Sequence, residues 1–167
     1  GQVNLLRALK WLAKVQNPDG SWGNDGRSRA ALTGLGLLTF LAHGETQTSK
    51  EYGKTVSKSI QWLANDPVNT GFKHAYPHAI KTYALAEAYS MTGIYAIEEP
   101  LLKCINLIVK GQQDGGSFDY NYKRNQVRQD LSFAGWNFQA MKAAYGTGLE
   151  IVGLEEAIYK AIAHLKK

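Results

Sequence analysis

The chain has 167 residues, with 19 Lys and Arg against 14 Asp and Glu, a net charge of +5 and a sequence pI of about 9.2. Hydrophobic content of 44% beside 20% charged residues suits a soluble globular fold, and no apolar run is long enough for a transmembrane helix. The single thiol, Cys104, excludes an internal disulfide and a multi-cysteine zinc site. No signal-peptide pattern opens the chain, but residue 1 is Gly, so a removed leader stays open and no compartment is assigned.

Residues 2–15 place Leu5, Leu9 and Leu12 at helical spacing and predict an amphipathic first helix. The stretch QNPDGSWG, residues 16–23, reads as a turn, since Pro presets φ and Gly accepts a positive one. Arg27 and Arg29 lead into a second helix, AALTGLGLLTFLAH at 30–43, which carries no charge at all. In the third helix, at 50–64, Lys50, Lys54 and Lys58 form the nearest approach to a basic stripe. Glu51 beside them makes it a solvated face, so no nucleic-acid partner is expected. His74-Ala-Tyr-Pro-His78 precedes the fourth helix. Pro77 fits that helix's first turn and leaves His74 in the preceding loop. A fifth helix at 97–110 leads to a second turn carrying Gln112, Gly116 and Phe118. Tyr120, Tyr122, Arg124 and Arg128 then precede Asp130, a good N-cap for a sixth helix at 131–145. A last helix at 152–166 presents Leu154, Ile158, Ile162 and Leu165 as an apolar edge.

A repeat underlies these elements. Arg7-Ala8-x-x-Trp11-Leu12-x-x-x-Gln16-x-x-x-Gly20-x-Trp22 recurs as Lys103-Cys104-x-x-Leu107-Ile108-x-x-x-Gln112-x-x-x-Gly116-x-Phe118. A worn copy starts at Lys58-Ser59-x-x-Trp62-Leu63, and a fourth at Lys160-Ala161-x-x-His164-Leu165. The units are about 2–49, 50–96, 97–150 and the start of a fourth at 151–167, a size that suits helical repeats. The odd-numbered segments 2–15, 50–64 and 97–110 hold eleven charged residues in forty-three; the even-numbered ones, 30–43, 79–92 and 131–145, hold three. A helix apolar on every side has to be buried on every side, so two layers are expected, with the second helix of each pair inside. Gln16 and Trp22 then bracket the outer-to-inner turn, the amide bonding backbone groups left open at helix ends and the indole covering it.

These residues resemble the QW repeat of terpene cyclases and protein prenyltransferases. AALTGLGLLTFLAHGET and DLSFAGWNFQAMKAA are similar to the prenyltransferase and squalene-oxidase repeat proteins of Planctomycetes and Verrucomicrobia. The resemblance implies an all-α, α/α-toroid array of about seven helices, three hairpins plus one. That is an incomplete ring, to be completed by the remainder of a toroid or by self-association.

The acid machinery of that superfamily is not visible. No two of Asp19, Asp25, Asp66, Asp114, Asp119 and Asp130 lie within three residues of each other, so neither DxDD nor DDxxD occurs. Cys104 sits at a small-residue position and reads as buried filling, and His74 with His78 lacks a third metal ligand; no cofactor or metal is expected. In an α/α toroid the inner helices' N-termini ring one cavity mouth and favour anions there. Candidates at that mouth are His74, His78 and Asp130 for catalysis, and Arg29, Tyr76, Tyr120, Arg128 and Trp136 for binding an apolar, isoprenoid or small anionic ligand. Tyr83, Tyr89, Phe133, Trp136 and Phe138 read first as core. The sequence favours a binding module of the cyclase and prenyltransferase type. Its alternatives are part of an isoprenoid cyclase or transferase whose catalytic residues lie elsewhere, and a polysaccharide lyase using His74, Tyr76, Tyr120 and Arg128.

Overall fold

The computed structural model describes residues 1–125 and 130–167, so Arg128 lies outside the described residues. The described residues form seven α-helices and no strand: α1 (Gln2–Val15), α2 (Arg29–Ala42), α3 (Gly53–Asn65), α4 (Ala75–Thr92), α5 (Glu98–Gly111), α6 (Leu131–Gly146) and α7 (Leu154–Leu165). Two 3-10 turns, Phe72–His74 and Tyr95–Ile97, lead into α4 and α5. The protein is therefore an all-α array of helical hairpins in two layers. Helix α4 packs along α2 on one side and α6 on the other, while α1, α3, α5 and α7 lie outside them.

Composition explains the layering. On α3 the buried side chains are Val56, Ser59, Ile60 and Leu63, one stripe, with charge opposite. On α4 ten residues are buried, over most of its circumference, and five of them are alanines that let neighbouring backbones approach closely. Burial on most sides holds for α4 alone, however, and even there Tyr76, Tyr83 and Glu87 are only half-buried. Helices α2 and α6 lie at either end of the inner layer and expose Leu32, Leu35, Leu131 and Tyr145. Being apolar all round therefore does not bury α2 and α6 on all sides, because each has an inner-layer neighbour on one side only. Helix α7 starts at Leu154 and not at 152; Leu154 is buried and Ile158 packs on the core, so of the apolar edge expected there only Ile162 and Leu165 stay exposed.

The two intact Gln–Gly turns act identically. Gln16 Nε2 donates to Gly20 O at 2.9 Å within its own turn and to Thr55 O at 3.0 Å on α3. Gln112 Nε2 donates to Gly116 O at 3.2 Å and to Ala157 O at 2.9 Å on α7. Each glutamine thus ties its turn to the next outer helix. Its partners are a turn carbonyl and a carbonyl inside the next helix, not the open helix end expected from the sequence. The open end is met by the tryptophan: Trp22 Nε1 donates to Leu12 O in the last turn of α1 at 2.9 Å. Gly20 (φ 97°) and Gly116 (φ 94°) need glycine twice over. Both have positive φ, and a Cβ would strike the backbone carbonyls of Lys58 and Lys160.

The worn middle repeat has Pro67 near where the glutamine would stand, and α4 supplies the ties instead. Lys81, only 2% exposed, extends its Nζ to Asp66 O and Asp66 Oδ2 at 3.0 Å and to Pro67 O at 3.3 Å. His78 bonds Cys104 O on α5 through Nε2 at 3.0 Å.

Candidate functional site

The N-termini of α2, α4 and α6 gather at one end of the array. Tyr76 from the first turn of α4 reaches Asp130, the N-cap of α6, while Ala30 of α2 shares a cleft with His74 and Pro77. Two distinct arrangements occupy this end.

The first centres on Asp130. Its Oδ1 accepts from Phe133 N at 2.8 Å, capping α6, and from Tyr76 OH at 3.4 Å; its Oδ2 accepts a short hydrogen bond from Tyr120 OH. The Tyr120 hydroxyl and then the Phe133 amide hold the carboxyl below the ordinary aspartate range, and the same carboxylate pushes the Tyr120 phenol up. Aromatic rings enclose the group: Tyr120 lies 5.0 Å from Phe72 edge-on and 5.1 Å from Phe133, and Tyr76 lies 5.4 Å from Phe133. Asp130 is therefore a fixed anion. A carboxyl that must give up a proton as a general acid needs its pKa raised, and every hydrogen bond here acts the other way.

The second arrangement is a polar cleft between the α2 and α4 entrances, lined by Arg27, Asp66, Asn69, His74, His78 and Lys81 among others. Its free volume of about 40 Å3 suits one or two water-sized molecules and no isoprenoid. His78 is buried, and desolvation pushes it down to about 4, so the ring is neutral at pH 7 with its proton on Nε2 facing Cys104 O. Nδ1 is then a lone-pair acceptor, and it has no hydrogen-bond partner. His74 ends the 3-10 turn and is the N-cap residue of α4, which starts two residues before Pro77. No group of three His, Cys, Asp or Glu side chains able to hold a metal occurs among the described residues. Burial raises the Cys104 thiol, which makes it a poor nucleophile.

Arg29 does not turn to this end as a free cation: its Nη1 pairs with Asp19 at 3.5 Å in the first turn. Trp136 meets Tyr83 edge-on, with ring centroids 6.5 Å apart. Tyr83 belongs to a row on α4, Tyr76, Ile80, Tyr83 and Glu87, at three- and four-residue spacing, that faces neither α3 nor α5. Tyr76, Tyr83 and Glu87 keep partial exposure there, and burial and then Glu87 raise the Tyr83 phenol. Among the remaining aromatics, Phe133 is fully buried, Phe138 lies tilted against Phe118 and edge-on to His164, and Tyr89 donates to Glu98 Oε1 at 2.6 Å. Sequence reasoning passed over Lys81 and Glu87. They are the two charges in an otherwise uncharged inner helix, and that isolation was the available signal.

Among known proteins the chain is similar to lanosterol synthase erg7A of Aspergillus fumigatus, at 27% identity over 125 residues. The match takes in 67% of this chain and 16% of that protein, so the chain spans a small part of its relative's length. The likeness is a faint link to the terpene cyclase superfamily. No family model matches the chain, and no solved structure does. No helix among the described residues is long and apolar enough to cross a membrane.

Proposed function

We propose that this chain is a QW-type repeat segment of a terpene cyclase/prenyltransferase-like α/α toroid, and that its role is to bind an apolar, isoprenoid-type ligand without carrying the acid of a cyclase. One observation carries the distinction between binding and catalysis. Asp130, the carboxylate fixed at the inner-helix mouth, is held anionic by Tyr120, the Phe133 amide and Tyr76. The paired Gln16 and Gln112 turns support the repeat assignment, and the similarity to a lanosterol synthase supports the superfamily. The ligand would lie along the open inner-helix row, where Tyr83 and Trp136 offer aromatic faces beside Glu87.

A second reading is favoured by the same similarity, because the matched region is 16% of the lanosterol synthase. In it the chain is one wall of an isoprenoid cyclase or transferase, and the catalytic residues stand on other repeats.

Titrating the protein with farnesol while following tryptophan fluorescence tests the binding reading. Saturable quenching is expected, weakened about tenfold by Trp136→Ala or Tyr83→Ala and unchanged in Asp130→Asn. Absence of saturable binding up to the solubility limit refutes it. Release of unsaturated uronate from an acidic glycan would replace it with the lyase reading.

A further inference from the structure

The two Gln–Gly turns define what a receiving outer helix looks like. On α3 the contacts fall at Thr55, Lys58 and Trp62. The Thr55 carbonyl takes the glutamine amide, the Lys58 backbone lies against the turn glycine, and Lys58 Nζ reaches Pro18 O at 3.5 Å. The Trp62 side chain completes the set by sharing a cleft with the turn carboxylate, Asp19, where it is the weakest of the groups that hold that carboxyl low. On α7 the contacts fall at Ala157, Lys160 and His164, the same offsets. Ala157 O takes Gln112, the Lys160 carbonyl lies against Gly116, and His164 Nδ1 meets Gly115 O at 3.1 Å. A receiving helix therefore presents a carbonyl of its first turn, then a cation three residues on, then a ring four residues beyond that.

Helix α1 has the same three positions with nothing on them. Its inward stripe runs in register with α3, Leu5, Leu9 and Leu12 matching Val56, Ile60 and Leu63. The register puts Asn4, Arg7 and Trp11 where Thr55, Lys58 and Trp62 stand. All three are exposed, Trp11 by 62%, and exposed Val3 (65%) and Leu6 (52%) flank them. An exposed tryptophan flanked by large aliphatics is costly to leave in water, and its ring stands where Trp62 of α3 faces the first turn. Beside it, Leu32 and Leu35 on α2 remain open on the side where a preceding inner helix would pack.

We infer that the Asn4–Arg7–Trp11 face of α1 is the docking site for a further helical hairpin whose loop carries the Gln-x-x-x-Gly turn. In that complex the glutamine amide donates to Asn4 O, the glycine packs on the Arg7 backbone, and the Trp11 ring meets the turn residue just before that glycine, as His164 meets Gly115. A second copy of this chain does not fit the role, because Gln16 and Gln112 are both already bound within their own chain, and the middle turn has no glutamine. The occupant is another repeat of this type. The inference concerns a face remote from the proposed ligand row and stands or falls independently of it.

The test adds the missing hairpin. Residues 94–154 are fused ahead of Gln2 of the full chain, so that Leu154 takes the place of Gly1 and α1 continues in the register of α7. Hydrogen exchange is followed segment by segment in the parent, in the fusion, and in the fusion carrying Gln112→Ala in the added hairpin alone. The inference expects α1 amides to exchange about tenfold more slowly in the fusion, and most of that protection to vanish with Gln112→Ala. Trp11 should also become inaccessible to acrylamide in the fusion and only there. Unchanged α1 exchange overturns the inference, whether the added hairpin folds or stays unprotected. Protection that ignores Gln112→Ala overturns it as well, and α1 protection that rises with concentration of the parent would name a second copy as the occupant instead.

Discussion

Replacing Gln112 by Ala should cost more than replacing Gln16, although the two residues make the same pair of bonds. Gln112 is 3% exposed and donates at 3.2 and 2.9 Å to Gly116 O and Ala157 O. Removing it deletes two buried bonds, each about 1 kcal/mol net, and leaves a void where the methylenes stood. Ala157 lies inside α7, so its carbonyl keeps a helical partner and is not orphaned outright. The sum is about 2–3 kcal/mol, which in a domain of this size lowers Tm by about 5–10 °C. Gln16 is only partly buried, so water can replace its bonds, and Gln16→Ala should cost about 1–2 kcal/mol. Gln112→Met separates bonds from packing: it keeps the volume and should recover the cavity share alone. The assay is urea unfolding at pH 7 with hydrogen exchange on α7, whose amides should lose protection first in Gln112→Ala. Equal costs for the two glutamines, or an α7 that exchanges as in the parent, would refute the reasoning that these amides fasten each hairpin to the next outer helix.

Other consequences are as direct. His78 has its pKa lowered from 6.5 to about 4, so it takes up a proton on unfolding at intermediate pH. Its stabilising share is intact above pH 6.5 and is drawn down as pH falls toward 4, by up to about 3 kcal/mol; this slope should disappear in His78→Gln, measured by urea midpoints between pH 7 and 4.5. The Lys81–Asp66 pair should respond unequally. Asp66→Ala strands a buried ammonium and should cost about 3 kcal/mol, whereas Lys81→Met replaces the stem with apolar volume, leaves a partly exposed carboxylate and should stay within about 1 kcal/mol. Asp130→Ala removes the α6 cap and should cost about 1 kcal/mol, with Asp130→Asn near neutral because an amide oxygen also caps; thermal melts of the two variants check this.

The parts of the fold readable in the sequence are those set by fixed local spacing. Gln16-to-Gly20 and Gln112-to-Gly116 recur because one amide must reach both its own turn and a neighbouring helix, and that geometry tolerates no insertion. The low charge of 79–92 suits the central place of α4 for a similar reason: most of its circumference packs on neighbouring helices. What escaped reading depends on residues far apart in sequence. Nothing near Pro67 announces that Lys81 will reach back to it, or that His78 will bond a carbonyl on α5, because partner and distance are set by packing. Arg29 was expected at the mouth by its position before an inner helix, yet Asp19, ten residues earlier, claims it. Asp130 was legible as a cap from the residues after it, while its two phenol donors became visible only once α4 and the loop before α6 were brought together.

The middle repeat shows how the fold allocates its functional freedom. Where the glutamine turn is intact, the glutamine's own ties are amide to carbonyl, uncharged and insensitive to pH. Where it is worn, they pass to a buried lysine and a buried histidine on the central helix, both lining the polar cleft between the α2 and α4 entrances. An ammonium at 2% exposure costs more to place than a glutamine amide would, and a histidine held near 4 surrenders stability in acid. Neither substitution is favoured by stability alone. Replacing both at once, Lys81→Met with His78→Gln, should therefore leave a protein at least as stable as the parent below pH 6 while removing the charge and the free Nδ1 acceptor from the cleft. Equal or greater thermal stability of that double variant at pH 5 would show that the cleft is kept for what it binds. A clear loss would return both residues to the role of replacement fasteners.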